Sequence, residues 1–277
     1  MVAATTMISI SHSDALSFLR ELPSATFDAV ITDPPYPCVN RDYGRLSVGM
    51  WETLMHSCVK EFRRILKPSG SAAIILQPNQ RRIGCTRPWL WDFMSWCSHE
   101  WNMVQDMYWW NYCAVPCEPA IQGGMLKPSV KPIVWLGDRK CFRDQNKVLW
   151  RISNWMKAQM HGRRAGDRRY RKTGSGHATN DSSYCAAVSR RGGTLPFNLL
   201  PFSGTNERER HGAVTPLTLT SWLVRFLCPV GGIVVDPFMG SGTTAIACLK
   251  EGMSCVGCDK SETYISYARK RCASKKS

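Results

Sequence analysis

No run of apolar residues in this 277-residue chain approaches the roughly 20 needed to cross a bilayer, so a helical membrane span is not expected. The opening stretch, Met1 to Ile10, carries neither Lys nor Arg, and its apolar run is a few residues long. A secretory signal is therefore not expected either. Acidic residues are scarce relative to basic ones: 21 Asp and Glu stand against 36 Lys and Arg, leaving a formal net charge of +15. That balance points to a polyanionic partner, nucleic acid before an anionic membrane surface. Charge alone also fits a protein that is merely basic. The thirteen cysteines are odd in number and irregular in spacing, and no His/Cys array of zinc-binding form surrounds the close pairs Cys113/Cys117 and Cys255/Cys258. Ser254 to Cys258 reads as a strand whose thiols are small core residues, and no metal is expected. Without a signal or a span, so many cysteines point to a reducing compartment. There is no internal repeat.

What is present suits one large α/β domain with an insertion. The hydrophobic fraction is 44%, enough for an ordinary core. Phe27 to Ile31 and Ser71 to Leu76 are continuous apolar runs of strand length. Between them, Trp51 to Leu66 carries Leu54, Met55, Cys58, Val59, Phe62, Ile65 and Leu66 at helical spacing, and Lys67-Pro68 with Ser69-Gly70 marks its end. Strand, helix and strand at this spacing imply a parallel crossover. After residue 214 the alternation resumes: helix from Leu217 to Cys228, strand Ile233 to Val235, helix Thr243 to Lys250, strand Ser254 to Cys258, helix Glu262 to Cys272. Both ends of the chain are expected to build one sheet.

The middle differs. Arg139 to Arg191 holds 14 basic residues against three acidic ones, Asp144, Asp167 and Asp181, so this segment carries +11 of the +15. Its densest part is Arg163, Arg164, Arg168, Arg169, Arg171 and Lys172, with Tyr170 between. A solvated loop would account for it. So would a nucleic-acid contact, because such cations neutralise phosphates and release counterions. The expected boundaries are 1–138 and 210–277 for the two halves of the α/β domain, with 139–209 as the basic insertion.

Two stretches carry chemistry. Asp236-Pro237-Phe238-Met239-Gly240-Ser241-Gly242-Thr243-Thr244 follows a strand and opens a helix, and its glycines let the backbone approach a ligand at the sheet edge. No Lys follows them, which argues against a phosphate-cradling loop. The next strand ends at Asp259, an acidic residue at the distance suited to a ribose diol. Asp259 could equally serve the turn before Ser261. Together these residues suggest an adenosine-containing cofactor. The other stretch is Asp33-Pro34-Pro35-Tyr36, directly after the strand ending at Thr32. There the prolines stiffen the turn, leaving the Asp33 carboxylate and the Pro34 carbonyl as acceptors beside an aromatic face. Such a site suits the exocyclic amine of an extruded base.

Together, in this order and with a basic insertion between, the two motifs resemble the signature pair of the amino-group DNA methyltransferases, in the arrangement of the β subgroup. Ser13-Asp14-Ala15-Leu16 with Leu22-Pro23, Glu61 to Pro68 with Gly70, and His211 to Leu219 resemble further family segments. The resemblance covers roughly 10–136 and 210–272. It implies a Rossmann-like S-adenosylmethionine-dependent methyltransferase fold with permuted motif order. Asp33, Pro34, Pro35 and Tyr36 would be catalytic, with Tyr36 stacking on the flipped base. Asp236, Phe238, Gly240, Gly242 and Thr243 would line the cofactor site, Asp259 would hold the ribose hydroxyls, Asp14 would sit near the adenine, and Thr215 and Pro216 would approach the methionine part. The chain departs from the family at Thr215, where a Lys is usual, and at Pro37, where a glycine is common.

An Asp at the first tetrad position leans to adenine N6 and a Ser to cytosine N4. The reading is thus an adenine-N6 methyltransferase acting on double-stranded DNA in the cytoplasm of a bacterial or phage-infected cell, as a homodimer or beside a cognate restriction endonuclease. Cytosine N4, RNA, and a catalytically silent nucleic-acid binder of the same fold are the rival readings. A small-molecule methyltransferase would leave the +11 segment without a purpose. Cysteine chemistry at Pro37-Cys38 is disfavoured because that dipeptide follows the amine signature.

Overall fold

The computed structural model describes residues 6–40, 44–114, 121–151, 182–203 and 215–274. They fall into two compact units, 1–143 with 198–277, and 144–197. The first is built on an eight-stranded sheet. In chain order its strands are β1 (Ile8–His12), β2 (Phe27–Thr32), β3 (Leu66–Ile75), β6 (Met103–Trp110), β7 (Val130–Gly137), β8 (Leu199–Pro201), β9 (Ile233–Asp236) and β10 (Ser254–Asp259), and they lie side by side as β1-β10-β9-β2-β3-β7-β6-β8. A separate hairpin is made by β4 (Gln80–Arg82) and β5 (Cys85–Thr86). Helices α1 (Ala15–Glu21), α2 (Val48–Ile65), α3 (Trp89–Glu100), α5 (Leu217–Leu227), α6 (Thr243–Glu251) and α7 (Glu262–Ala273) complete the unit.

Strand pairing bears out the expected common sheet. β9 and β10 from the C-terminal half pair in parallel with β2 and β1 from the N-terminal half. β2 is buried at every residue, as its unbroken apolar run implies for a central strand covered on both faces. By strand alternation, Val30, Ala72, Ile74, Val134 and Val235 look to one face, where Phe18, Leu19, Trp51, Met55, Phe62 and Phe93 of α1, α2 and α3 complete a core. The opposite face takes α5, whose Phe226 ring lies 5.3 Å from Trp135 of β7.

Three features differ from expectation. Helix α2 begins a turn early, at Val48, because the Ser47 hydroxyl accepts from the Met50 N–H and caps it. Lys67 to Gly70 is not a terminating turn but an excursion inside β3: Phe27 pairs with Leu66, then Ala29 with Ser71. The excursion has a purpose. It brings Lys67 Nζ to 2.8 Å from the carboxylate of Asp28, a buried charge whose other oxygen accepts the Ile233 N–H. A Cβ at Gly70 would come 2.9 Å from the Leu66 side chain and 3.1 Å from the Asp28 carbonyl. Finally, β6, β7 and β8 extend the sheet, with β7 antiparallel to both β3 and β6. Residues 139–143 and 198–203 therefore belong with the sheet rather than with the insertion.

The second unit contains a 3-10 helix, Gln145–Val148, and helix α4 (Ser182–Arg191). Trp150 and Thr194 bridge across it. Arg163, Arg164, Arg168, Arg169, Arg171 and Lys172 lie outside the described residues. Among the described residues no helix is long and apolar enough to cross a membrane.

Candidate active site

β2 and β9 are neighbours, but the chain leaves them in opposite directions: β2 continues to β3 on one side and β9 to β10 on the other. A sheet with this reversal opens a crevice beyond the carboxyl ends of the two strands. Both motifs sit there. The Thr32 hydroxyl, at the end of β2, donates to Asp236 Oδ1, at the end of β9, at 2.7 Å across 204 residues of sequence.

On the β2 side the Asp33-Pro34-Pro35-Tyr36 turn is held by its carbonyls, as a segment with two prolines must be. Trp51 Nε1 of α2 donates to the Pro35 carbonyl at 2.6 Å, and Asn79 Nδ2 donates to that of Pro37 at 2.6 Å. Cys38, with φ +61°, sends its N–H to the Leu46 carbonyl. No donor among the described residues is bonded to the Pro34 carbonyl. The Asp33 carboxylate accepts one hydroxyl on each oxygen, from Tyr36 at 2.5 Å and from Thr215 at 2.6 Å. The Lys131 ammonium stands 5.7 Å from the centre of the Tyr36 ring and 4.7 Å from that of Trp109, within cation–π range of both.

On the β9 side, Asp236 is buried and ties the turn that follows it, accepting the Phe238 N–H as well as the Thr32 hydroxyl. Burial pushes its pKa up to about 6, although hydroxyls of Thr244 and Thr32 and the Phe238 N–H oppose the rise. The charge of Asp259 adds to it. Gly240 and Gly242 both have positive φ, and a Cβ on Gly242 would stand 2.8 Å from that of Ala268 in α7. Asp259 clamps the turn, with Oδ2 accepting the Gly240 N–H and Oδ1 the Ser261 N–H, both at 2.9 Å. Thr243 begins α6, whose N-cap Gly242 has no side chain to cap the first turn, and Thr243 and Thr244 line the crevice.

One cleft is lined by Thr32, Asp33, Thr215, Phe238, Gly240 and Thr243, among others. It joins a carboxylate beside an aromatic ring to a glycine turn at a helix N-terminus. Such a cleft can hold an amine donor against a cofactor. A family model described as a DNA methylase of the N6/N4 methyltransferase type matches residues 27–270. The chain belongs to this family.

Relatives of this DNA methylase span most of its length. The type II methyltransferase M.ScaI of Streptomyces caespitosus is 24% identical over 95% of the chain and 81% of its own length. The cytosine-N4-specific PvuII DNA methyltransferase of Proteus hauseri superimposes with a TM-score of 0.72 at 19% identity, covering 97% of this chain and 87% of its own. TTHA0409 of Thermus thermophilus, solved with S-adenosyl-L-methionine, gives 0.61 at 21% identity over 98% and 94%. The fold is the Rossmann-like one of S-adenosylmethionine-dependent methyltransferases.

Three residues expected at the cofactor also have partners within this DNA methylase. Asp14, expected beside an adenine, is the N-cap of α1, with Oδ1 accepting the N–H groups of Leu16 and Ser17. Thr215, expected at a methionine, spends its hydroxyl on Asp33. Pro216 is buried at the start of α5, where its carbonyl accepts from Thr220. As expected, Cys255 and Cys258 are buried in β10; Cys258 donates to the Pro237 carbonyl, the Cys248 side chain together with burial raises the Cys255 thiol, and burial raises that of Cys258. The turn-holding donors Trp51 and Asn79 escaped sequence reading. Trp51 looked like one more apolar residue of a helix, and Asn79 stood out only by following β3.

Proposed function

We propose that this DNA methylase transfers a methyl group from S-adenosylmethionine to the exocyclic N6 amine of an adenine extruded from duplex DNA. The observation carrying this reading is Asp33, oriented by two hydroxyls at the mouth of the cleft that the glycine turn also lines.

The residues suit the cofactor. Each Asp259 oxygen accepts one backbone N–H and keeps capacity for a ribose hydroxyl. The first turn of α6 offers N–H groups and a positive dipole end to a carboxylate. Phe238 supplies an apolar wall. S-adenosylmethionine, when bound, supplies an electrophilic methyl on a sulfonium and departs as the thioether.

The amine of adenine is a poor nucleophile, because its lone pair is delocalised into the ring. Asp33 and the Pro34 carbonyl accept its two N–H bonds, which favours a more tetrahedral nitrogen with its lone pair turned to the cofactor. Direct transfer of that methyl to the amine would need no covalent enzyme intermediate, and the surplus proton would leave the amine afterwards. Asp33 need not be a full general base. Positioning and electrostatics carry the acceleration. Tyr36 offers a ring to the extruded base, whose unstacking costs a few kcal/mol.

Arg163, Arg164, Arg168, Arg169, Arg171 and Lys172 are read as contacts to the duplex on their charge. A homodimer and a cognate endonuclease fit the same reading, since the relatives include type II methyltransferases.

The test is mass spectrometry of nucleosides from unmethylated duplex DNA incubated with protein and S-adenosylmethionine, beside an Asp33→Ala control. N6-methyladenine that vanishes in the control is expected. N4-methylcytosine would overturn the base, because cytosine presents a like amine to the same acceptors, and PvuII methyltransferase is cytosine-N4-specific. Methylation of RNA alone would overturn the substrate.

A further inference from the structure

β3 runs parallel to β2, with Ile74 beside Thr32, so the chain leaves β3 at the edge that carries Asp33. It turns at once into the small β4–β5 hairpin, Gln80 to Thr86. Asn79 fixes the foot of this hairpin to the catalytic turn. Its side-chain amide donates to the Pro37 carbonyl, its Oδ1 accepts from Trp89 Nε1 at 3.2 Å, and its own carbonyl accepts the Arg87 N–H at 3.0 Å. Gln80 pairs with Thr86 and Arg82 with Cys85, leaving Ile83 and Gly84 as the turn. Gly84 has φ +76°, a left-handed conformation that glycine adopts at no steric cost in a tight turn.

A two-stranded hairpin of this size is marginal by itself, and this one has little to bury. Arg81 and Arg82 are exposed, and Ile83 at the tip is half exposed. Successive strand residues point to opposite faces, so the two arginines arm both sides of the ribbon. Among the described residues, no carboxylate pairs with Arg81, Arg82 or Arg87. The sequence holds no acidic residue between Glu61 and Asp92. At the foot, Arg87 Nε and Gln80 Oε1 are buried without a hydrogen-bond partner among the described residues. Three like charges with no carboxylate partner among the described residues repel one another. A polyanion would supply what they lack.

We infer that the hairpin is a contact to the DNA backbone separate from the Arg139–Arg191 segment, with Arg81 and Arg82 neutralising phosphates beside the target nucleotide. This rests on the duplex-DNA reading above. Because Asn79 couples the hairpin to the residues after Tyr36, the bound backbone is registered against the catalytic turn. Phosphate contacts of this kind position a duplex without reading its sequence.

The test is fluorescence anisotropy of the full chain with a labelled, unmodified duplex, titrated over a range of salt. The variants are Arg81→Ala/Arg82→Ala and Arg81→Lys/Arg82→Lys. At about 0.9 per phosphate contact, the Ala pair should flatten the slope of log affinity against log salt by about 1.8. The Lys pair should hold it, since a point charge still neutralises a phosphate. S-adenosylmethionine affinity and the thermal midpoint should match wild type in both, showing that the cleft and the fold persist. An unchanged slope in the Ala pair overturns the inference, and so does a Lys pair that behaves like the Ala pair. Wild type that shows no affinity for the duplex sinks the duplex reading and the hairpin with it, and that failure is distinct because it needs no variant.

Discussion

Thr215 donates its hydroxyl to Oδ2 of Asp33 at 2.6 Å, joining residues 182 positions apart in the chain. Tyr36 holds the other oxygen, so the carboxylate is fixed from both sides while each oxygen keeps capacity for an incoming N–H. On the proposed function, Thr215 would act through Asp33, as a positioning residue.

Replacing Thr215 by Val keeps the shape and removes the donor. A hydrogen bond to a charged group contributes about 1.5–3 kcal/mol, so kcat should fall roughly tenfold to a hundredfold. KM for S-adenosylmethionine should change little, and Thr215→Ser should restore most of the rate. Steady-state kinetics of the two variants checks this. A rise in that KM at unchanged kcat would instead assign Thr215 to the cofactor.

Trp51→Phe leaves the Pro35 carbonyl without its indole donor and opens a small gap in the α2–α3 core, where Trp89 and Phe93 pack edge-on against Trp51. Stability should drop by about 1–3 kcal/mol. Activity measured well below the new thermal midpoint should also fall, because the catalytic turn loses one of its anchors. Denaturant titration and initial rates give the two quantities separately.

Gly242→Ala adds a Cβ 2.8 Å from Ala268 at a φ of +82°. Both the contact and the left-handed backbone oppose it, so the cost should exceed about 1 kcal/mol. Calorimetric titration with S-adenosylmethionine should show affinity falling in the same variant, because the turn must shift. Ala at Gly124, where φ is +60° and a Cβ meets nothing within 4 Å, should leave that affinity unchanged.

Asp236 gives a pH dependence with a definite sign. Its folded pKa is raised, to about 6, above the ordinary 3.8, so between those values the folded state holds a proton that the unfolded chain has lost. Stability from this group is therefore greatest below pH 3.8, declines as pH rises to about 6, and is level above that. Asp236→Asn keeps an acceptor for Thr32 and Phe238 without the charge. Thermal midpoints of the two proteins should diverge between about pH 4 and 6, the variant gaining relative to wild type, and run parallel from about pH 6 to 8. Parallel curves throughout would remove burial as the cause.

Much of the fold was legible because its signals are local. The apolar runs of β2 and β9 marked strands buried on both faces, and the apolar stripe of α2 marked its helix. The ends of β2, β9 and β10 located Asp33, Asp236 and Asp259. Less was legible where a partner decides. The Lys67–Gly70 excursion reads as a turn until Asp28 is seen to need a cation. That Asp14 caps α1 through one carboxylate oxygen was equally hidden until the helix start was seen. The β4–β5 hairpin has no apolar alternation to announce it, since its arginines serve no core.

The sequence by itself determined the parallel α/β architecture, the two motifs at strand ends and the family, because periodicity, strand length and turn composition are written within a dozen neighbouring residues. Only the tertiary structure decided that β9 and β10 lie beside β2 and β1, that β7 enters antiparallel, and that Thr215 belongs to Asp33. Those outcomes depend on hydrogen bonds whose geometry forms between segments that are not neighbours in the chain, across which local pattern carries no directional information.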